Sequence, residues 1–163
     1  MKQVVVICGE SKARCSQILE LLSKRNKDII INECVTTADI QNFGYKVVNN
    51  NKFMTMVEGN VFFEYHVDHN NFYGTLFIDN KLINDNFMIS DTNVALNIKK
   101  IYPKTITIYI LSEAEEVFFK TDLGNKNYLE AKKLDFLVVD NDLTDTAKKI
   151  EEIVSFINEN GMK

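Results

Sequence analysis

The chain has 163 residues, 45% of them apolar, with a formal charge of -4 and an isoelectric point near 5.2. That length and apolar share fit one domain with a sizeable core, and no second domain is expected. The acidic balance argues against a nucleic-acid or anionic-membrane surface, since both demand clustered Lys and Arg.

Residues 3–8 are apolar and β-rich, and they run into GESKARCS at residues 9–16, which is followed by a helical pattern to about Lys27. The loop stands where a phosphate-binding P-loop belongs. That pattern, GxxxxGK[ST], cradles phosphates on backbone N–H groups, reaches the β and γ phosphates with its lysine and holds magnesium with its hydroxyl. Gly9 and Ser16 match it, but Arg14 replaces the second glycine and Cys15 replaces the lysine. The missing lysine is a fixed charge on which phosphoryl transfer relies. Ser11, Lys12 and Arg14 fill the loop, and the two cations are the candidate substitutes. Arg14, however, occupies a place that glycine leaves open for close backbone approach. The first turn of a helix and the adjacent Arg14 favour a thiolate at Cys15, which would make it reactive, but position alone motivates that reading and an inert buried cysteine is the favoured one.

A second strand is expected over residues 29–35, completing the opening of a βαβ unit. Residues 45–76 read as short strands with one helix near 50–58. Within them His66, Asp68 and His69 form HxDH, which lacks a fourth partner and a helical i,i+4 pair, so no metal site is expected. A strand near 87–90, a helix over 93–101, a strand over 105–111 and a helix starting at Ser112 follow, Ser112 and Glu115 forming a capping box. A last strand over 134–139 and an amphipathic helix over 144–158 close the pattern. Strands alternating with helices imply a parallel sheet covered on both faces. Cys8, Cys15 and Cys34 have neither an even count nor CxxC spacing, so a reducing, cytoplasmic setting is expected. The first residues show no basic leader, and no apolar run approaches the ~20 residues that span a bilayer, so neither targeting nor a membrane partner is expected.

These segments resemble guanylate kinase. FFEYHVDHNNFYGT (62–75) is similar to the family's hydrophobic-Glu to YYGT/S stretch, and residues 90–100 to its I-D-x-Q-G-x-x-x-K-K segment. Residues 102–111 resemble its strand after F/Y-P, and residues 135–143 its F-D-Y-V-I-V-N-D-D-L ending. The resemblance implies a three-layer α/β/α P-loop nucleoside monophosphate kinase fold with a parallel core sheet (1–35, 84–117, 134–163). It also implies a small GMP-binding β lobe (36–83) and a shortened lid (118–133).

The family transfers a phosphoryl group from ATP to GMP. By resemblance Glu64 stands at its guanine-binding glutamate, Thr75 at its hydroxyl position, Asp91 at its second contact carboxylate, and Tyr45 and Tyr73 at its phosphate-facing tyrosines. Carboxylates accept from guanine N1–H and the exocyclic amine, so this chemistry suits guanine. Cys34 replaces a serine, a weaker donor. The charges depart from the pattern. Ala38 follows Thr36 and Thr37 where the family has its first phosphate arginine, and a shortened segment before Tyr45 removes the second. Ile89 replaces the first carboxylate of D-x-D, and the lid offers Lys120, Lys126, Lys132 and Lys133 but no arginine. The whole chain has only two arginines, Arg14 and Arg25, although Arg is the preferred bidentate phosphate clamp.

The expectation is therefore a guanylate kinase homologue impaired in phosphotransfer, with a partly retained guanine cleft for weak GMP binding or for a protein partner. The alternative is an active guanylate kinase with an atypical loop, which would use ATP and Mg2+.

Overall fold

The computed structural model describes residues 2–78, 84–116, 129 and 131–161. Most of the expected lid, 118–133, lies outside them.

Five strands form a parallel sheet in the order β2 (Ile30–Ile31), β7 (Asn86–Ile89), β1 (Val4–Gly9), β8 (Ile106–Ser112), β9 (Phe136–Asp140). β1 and β7 are buried along their whole length, which is why they read as unbroken apolar runs rather than alternating ones. Their side chains divide between two cores. Val5, Ile7, Ile106, Ile108 and Val138 pack against α1 (Lys12–Arg25) and α4 (Leu143–Asn160). Val4, Val6, Cys8, Met88 and Tyr109 pack against α3 (Thr92–Ile101) on the opposite face. The result is helix, sheet, helix, with the loop after β1 opening at the carboxyl ends of the strands.

A second sheet, of four strands, runs in the order β4 (Tyr45–Val47), β3 (Cys34–Thr36), β6 (Asn71–Leu76), β5 (Phe62–Asp68). One face is closed by α2 (Asn50–Glu58), which drives the fully buried Phe53 into Val35, Phe62 and Phe72. The rings stack, with centroids 4.7 Å apart for Phe53 and Phe62 and 5.2 Å for Phe53 and Phe72. Gly74 is forced by that wedge, since a Cβ there would come within 2.5 Å of the Phe62 ring.

The single strand expected over 29–35 is instead two. Ile30 and Ile31 pair with β7, Asn32 N donates to Phe87 O, and the chain then crosses to the other sheet, where Cys34 pairs with Thr75 and Tyr45. The polar Asn32 and Glu33 mark the crossing. The capping box forms as expected: Glu115 N donates to Ser112 Oγ at 3.2 Å and Ser112 N to Glu115 Oε2 at 2.7 Å. Among the described residues no helix is long and apolar enough to cross a membrane.

Candidate functional site

The open face of the four-stranded sheet is set by a hairpin. His69 and Asn70 take positive φ (45° and 65°), the two-residue turn whose twist matches paired strands. It fixes Glu64 opposite Thr75, His66 opposite Tyr73 and Asp68 opposite Asn71. Cys34 pairs with Thr75 on the other side and Tyr45 with Cys34, so Tyr45, Cys34, Thr75 and Glu64 form one row across the sheet. Gly44 starts that row: its φ of +87° turns the chain, and a Cβ there would approach Leu19 to 2.9 Å.

This face and the carboxyl end of β7 enclose a cleft of about 140 Å³, lined among others by Cys34, Tyr45, Tyr73, Thr75, Asp91 and Lys12. Five of the six residues expected at a GMP-type site therefore come together. Glu64 lies at the edge. It shares the row with Thr75, but its Oε2 accepts from Asn97 Nδ2 of α3 at 3.0 Å. The hydroxyls of Tyr45, Tyr73 and Thr75 have no protein hydrogen-bond partner among the described residues, which leaves them open to a ligand. Burial raises the Tyr45 phenol well above its ordinary value and pushes the Cys34 thiol up to about 11, so both are held protonated.

Asp91 faces the cleft from the start of α3. It occupies the N-cap position without making a side-chain cap bond. Its Oδ1 instead lies 2.5 Å from Lys12 Nζ, which also donates to Ser90 O at 3.3 Å. Burial works against the charge on Lys12, yet the Asp91 carboxylate and its hydrogen bond outweigh that and hold the ammonium above its ordinary value. The loop lysine thus turns toward Asp91 and the cleft. His66 joins the same group, its ring stacked on Tyr73 at 5.5 Å and its Nε2 3.7 Å from Asp91 Oδ2. His69 belongs elsewhere, out in the turn against Asp68 at 2.8 Å. The HxDH segment is therefore split, and no group of three or more metal-type ligands is present among the described residues.

The loop itself is held by protein contacts. Ser11 caps α1, accepting from Arg14 N at 3.2 Å. The Arg14 guanidinium grips Asp140 at the end of β9 with two bonds, Nε to Oδ2 at 2.5 Å and Nη2 to Oδ1 at 3.0 Å. Thr146 Oγ1 donates to Asp140 Oδ1 at 2.7 Å. Burial opposes ionisation of Asp140, but these donors prevail and hold its carboxyl below the usual range. Hydrogen bonding and like charge from the Glu115 carboxyl raise Glu10 above its ordinary value.

The reactive reading of Cys15 is not upheld. Its side chain is 1% exposed, and burial pushes the thiol up to about 11 despite Lys12 nearby. The field of a helix terminus does not offset desolvation at a site closed to water. Of the two threonines before Ala38, Thr36 Oγ1 donates to Phe72 O at 2.9 Å, whereas Thr37 Oγ1 accepts from Phe72 N at 2.9 Å and keeps its own hydrogen to donate.

A nucleoside triphosphate with magnesium needs free cations and an oxygen ligand set. Of the loop's side chains only the Ser16 hydroxyl, buried and without a partner, stands ready at its expected place. Arg14 and Lys12 are committed, Ile89 is buried apolar, and Glu10 with Glu115 adds negative charge. The described residues do not fit that group.

Sequence reasoning missed the placement of Lys12, His66 and Asp68 in the cleft. The alternation of FFEYHVD, which puts Glu64, His66 and Asp68 on one face, was the available signal for two of them. Nothing local signals that Lys12 meets Asp91.

No protein-family model matches the chain. Among curated proteins it is 24% identical over 179 residues to the guanylate kinase of Prochlorococcus marinus, covering 94% of this chain and 97% of that one. It is 25% identical to the guanylate kinase of Thermotoga maritima, covering 93% and 86%. Among solved structures, the crystal structure of guanylate kinase from Anaplasma phagocytophilum superposes with a TM-score of 0.71 at 20% identity, over 99% of this chain and 87% of that one. That likeness establishes the fold.

Proposed function

From its standing as a guanylate kinase homologue, we propose that this chain has lost most or all ATP-to-GMP phosphotransfer and keeps the guanine side of the cleft for weak ligand binding. One observation carries the reading: both cations of the loop are engaged inside the protein, Arg14 by Asp140 and Lys12 by Asp91. Phosphoryl transfer is almost entirely positioning and charge stabilisation, and an arginine alone supplies ~10³-fold or more in rate. The GMP-side residues Cys34, Tyr45, Tyr73, Thr75 and Asp91, with Glu64 at their edge, supply the acceptors and hydroxyls that a guanine ring requires.

The test is a coupled assay of ADP release with ATP, magnesium and GMP or dGMP. Turnover far below the ~1 s⁻¹ lower end of ordinary enzymes is expected. Ordinary turnover would establish the second reading, an active kinase with an atypical loop, which the unpartnered Ser16 hydroxyl favours.

A further inference from the structure

The charges that line the cleft point to a ligand class narrower than guanine nucleotides. Among the described residues, the lining brings two carboxylates, Asp68 and Asp91, against one ammonium, Lys12, and that ammonium is already neutralised by Asp91 at 2.5 Å. A third carboxylate, Glu64, stands beside Thr75 in the same row. No arginine lines the cleft, and neither Cys34 nor Tyr45 carries charge, because burial keeps both protonated.

The phosphate end fares worst. Tyr73, which the family resemblance places toward phosphate, pairs across the hairpin with His66, and Asp68 follows on the same face of the strand. A dianionic ester seated there meets Asp68, and among the described lining residues the one ammonium, Lys12, is already held by Asp91. Desolvating such a group without a partner is costly, and like-charge juxtaposition disfavours it further. The rest of the cleft suits a flat, uncharged, hydrogen-bonding ligand. It offers the stacked His66 and Tyr73 rings, three unpartnered hydroxyls, and carboxylates that accept from N–H groups.

We infer that the cleft takes the uncharged guanine nucleoside in preference to its phosphate ester. This rests on the guanine-binding reading above and adds to it a reversal of the charge preference that a phosphate clamp would impose.

Calorimetry on the full chain near neutral pH, with guanosine, GMP and adenosine as probes at low and high salt, tests it. Guanosine is expected to bind about tenfold or more tighter than GMP at low salt, with the gap closing as salt screens the carboxylates. Asp68→Asn, at an exposed strand end of the cleft, should tighten GMP severalfold relative to guanosine and so narrow the ratio of the two affinities. GMP binding as tightly as guanosine, or more tightly, overturns the inference while leaving guanine recognition standing. Guanosine binding no better than adenosine overturns both.

Discussion

The two ends of the cleft differ in where their polar side chains find partners. In the loop after β1 the polar groups close on the protein: Ser11 caps a helix, Arg14 holds Asp140, and Glu10 leans on Glu115. On the open sheet face the hydroxyls of Tyr45, Tyr73 and Thr75 have no protein partner among the described residues. A buried or half-buried polar group with no internal partner is kept at some cost to stability, whereas a saturated one contributes to the fold. The contrast fits the proposal that the loop serves structure and the sheet face recognition, and it is open to attack from either side.

The largest effect is expected behind the sheet. Phe53 is fully buried and stacked between Phe62 and Phe72, and Phe53→Ala should cost about 3–5 kcal/mol in thermal or denaturant unfolding. Loss of the wedge lets the strands shift, so guanosine affinity should fall with stability. Unchanged affinity at a temperature where the variant is still folded would show that the recognition face does not depend on its aromatic backing.

Arg14→Ala probes the other end. Asp140, with a side chain 9% exposed, loses a charged two-bond partner and keeps Thr146, a loss worth about 1–3 kcal/mol. Guanosine affinity should not change; a marked loss would mean that the loop takes part in recognition. The pH dependence follows from the depressed Asp140 carboxyl. In the wild type its contribution is present above the ordinary carboxylate value of 3.8 and is lost as pH falls through the lower folded value. The variant should show a shallower acid limb below about pH 4.

These contacts explain which parts of the molecule were legible from sequence. The helix at Asn50–Glu58 and the Ser112–Glu115 capping box were readable because their determinants lie within one or two turns of chain. The row of Cys34, Tyr45 and Thr75 was reached through family resemblance, and the hairpin register supplies its physical basis. Arg14 meeting Asp140, 126 residues away, and Lys12 meeting Asp91, 79 residues away, were not readable. A cation's sequence position does not reveal which carboxylate the fold will bring to it. The split of residues 29–35 was hidden for a related reason, since the strand changes sheets to suit two different partners.

Glu10→Gln is the smallest and most discriminating change. Glu115 accepts from Tyr109 OH at 3.3 Å and from Ser112 N at 2.7 Å. The neighbouring Glu115 carboxyl raises the folded value of Glu10, by hydrogen bonding and by like charge. For a carboxyl shifted this way the folded chain binds more protons than the unfolded one, so stability falls as pH rises from the ordinary carboxylate value through the raised one. A glutamine amide donates to Glu115 at every pH and has no such slope. The variant should thus melt slightly higher than wild type at neutral pH, with the difference vanishing in acid; a difference that persists below the ordinary carboxylate range would mean that the two groups do not share a proton. Because Glu10 is exposed, solvent keeps the effect small. If phosphotransfer remains undetectable in this variant, the excess negative charge at the loop is not by itself what excludes a triphosphate, and the weight falls on the internal pairing of Arg14 and Lys12.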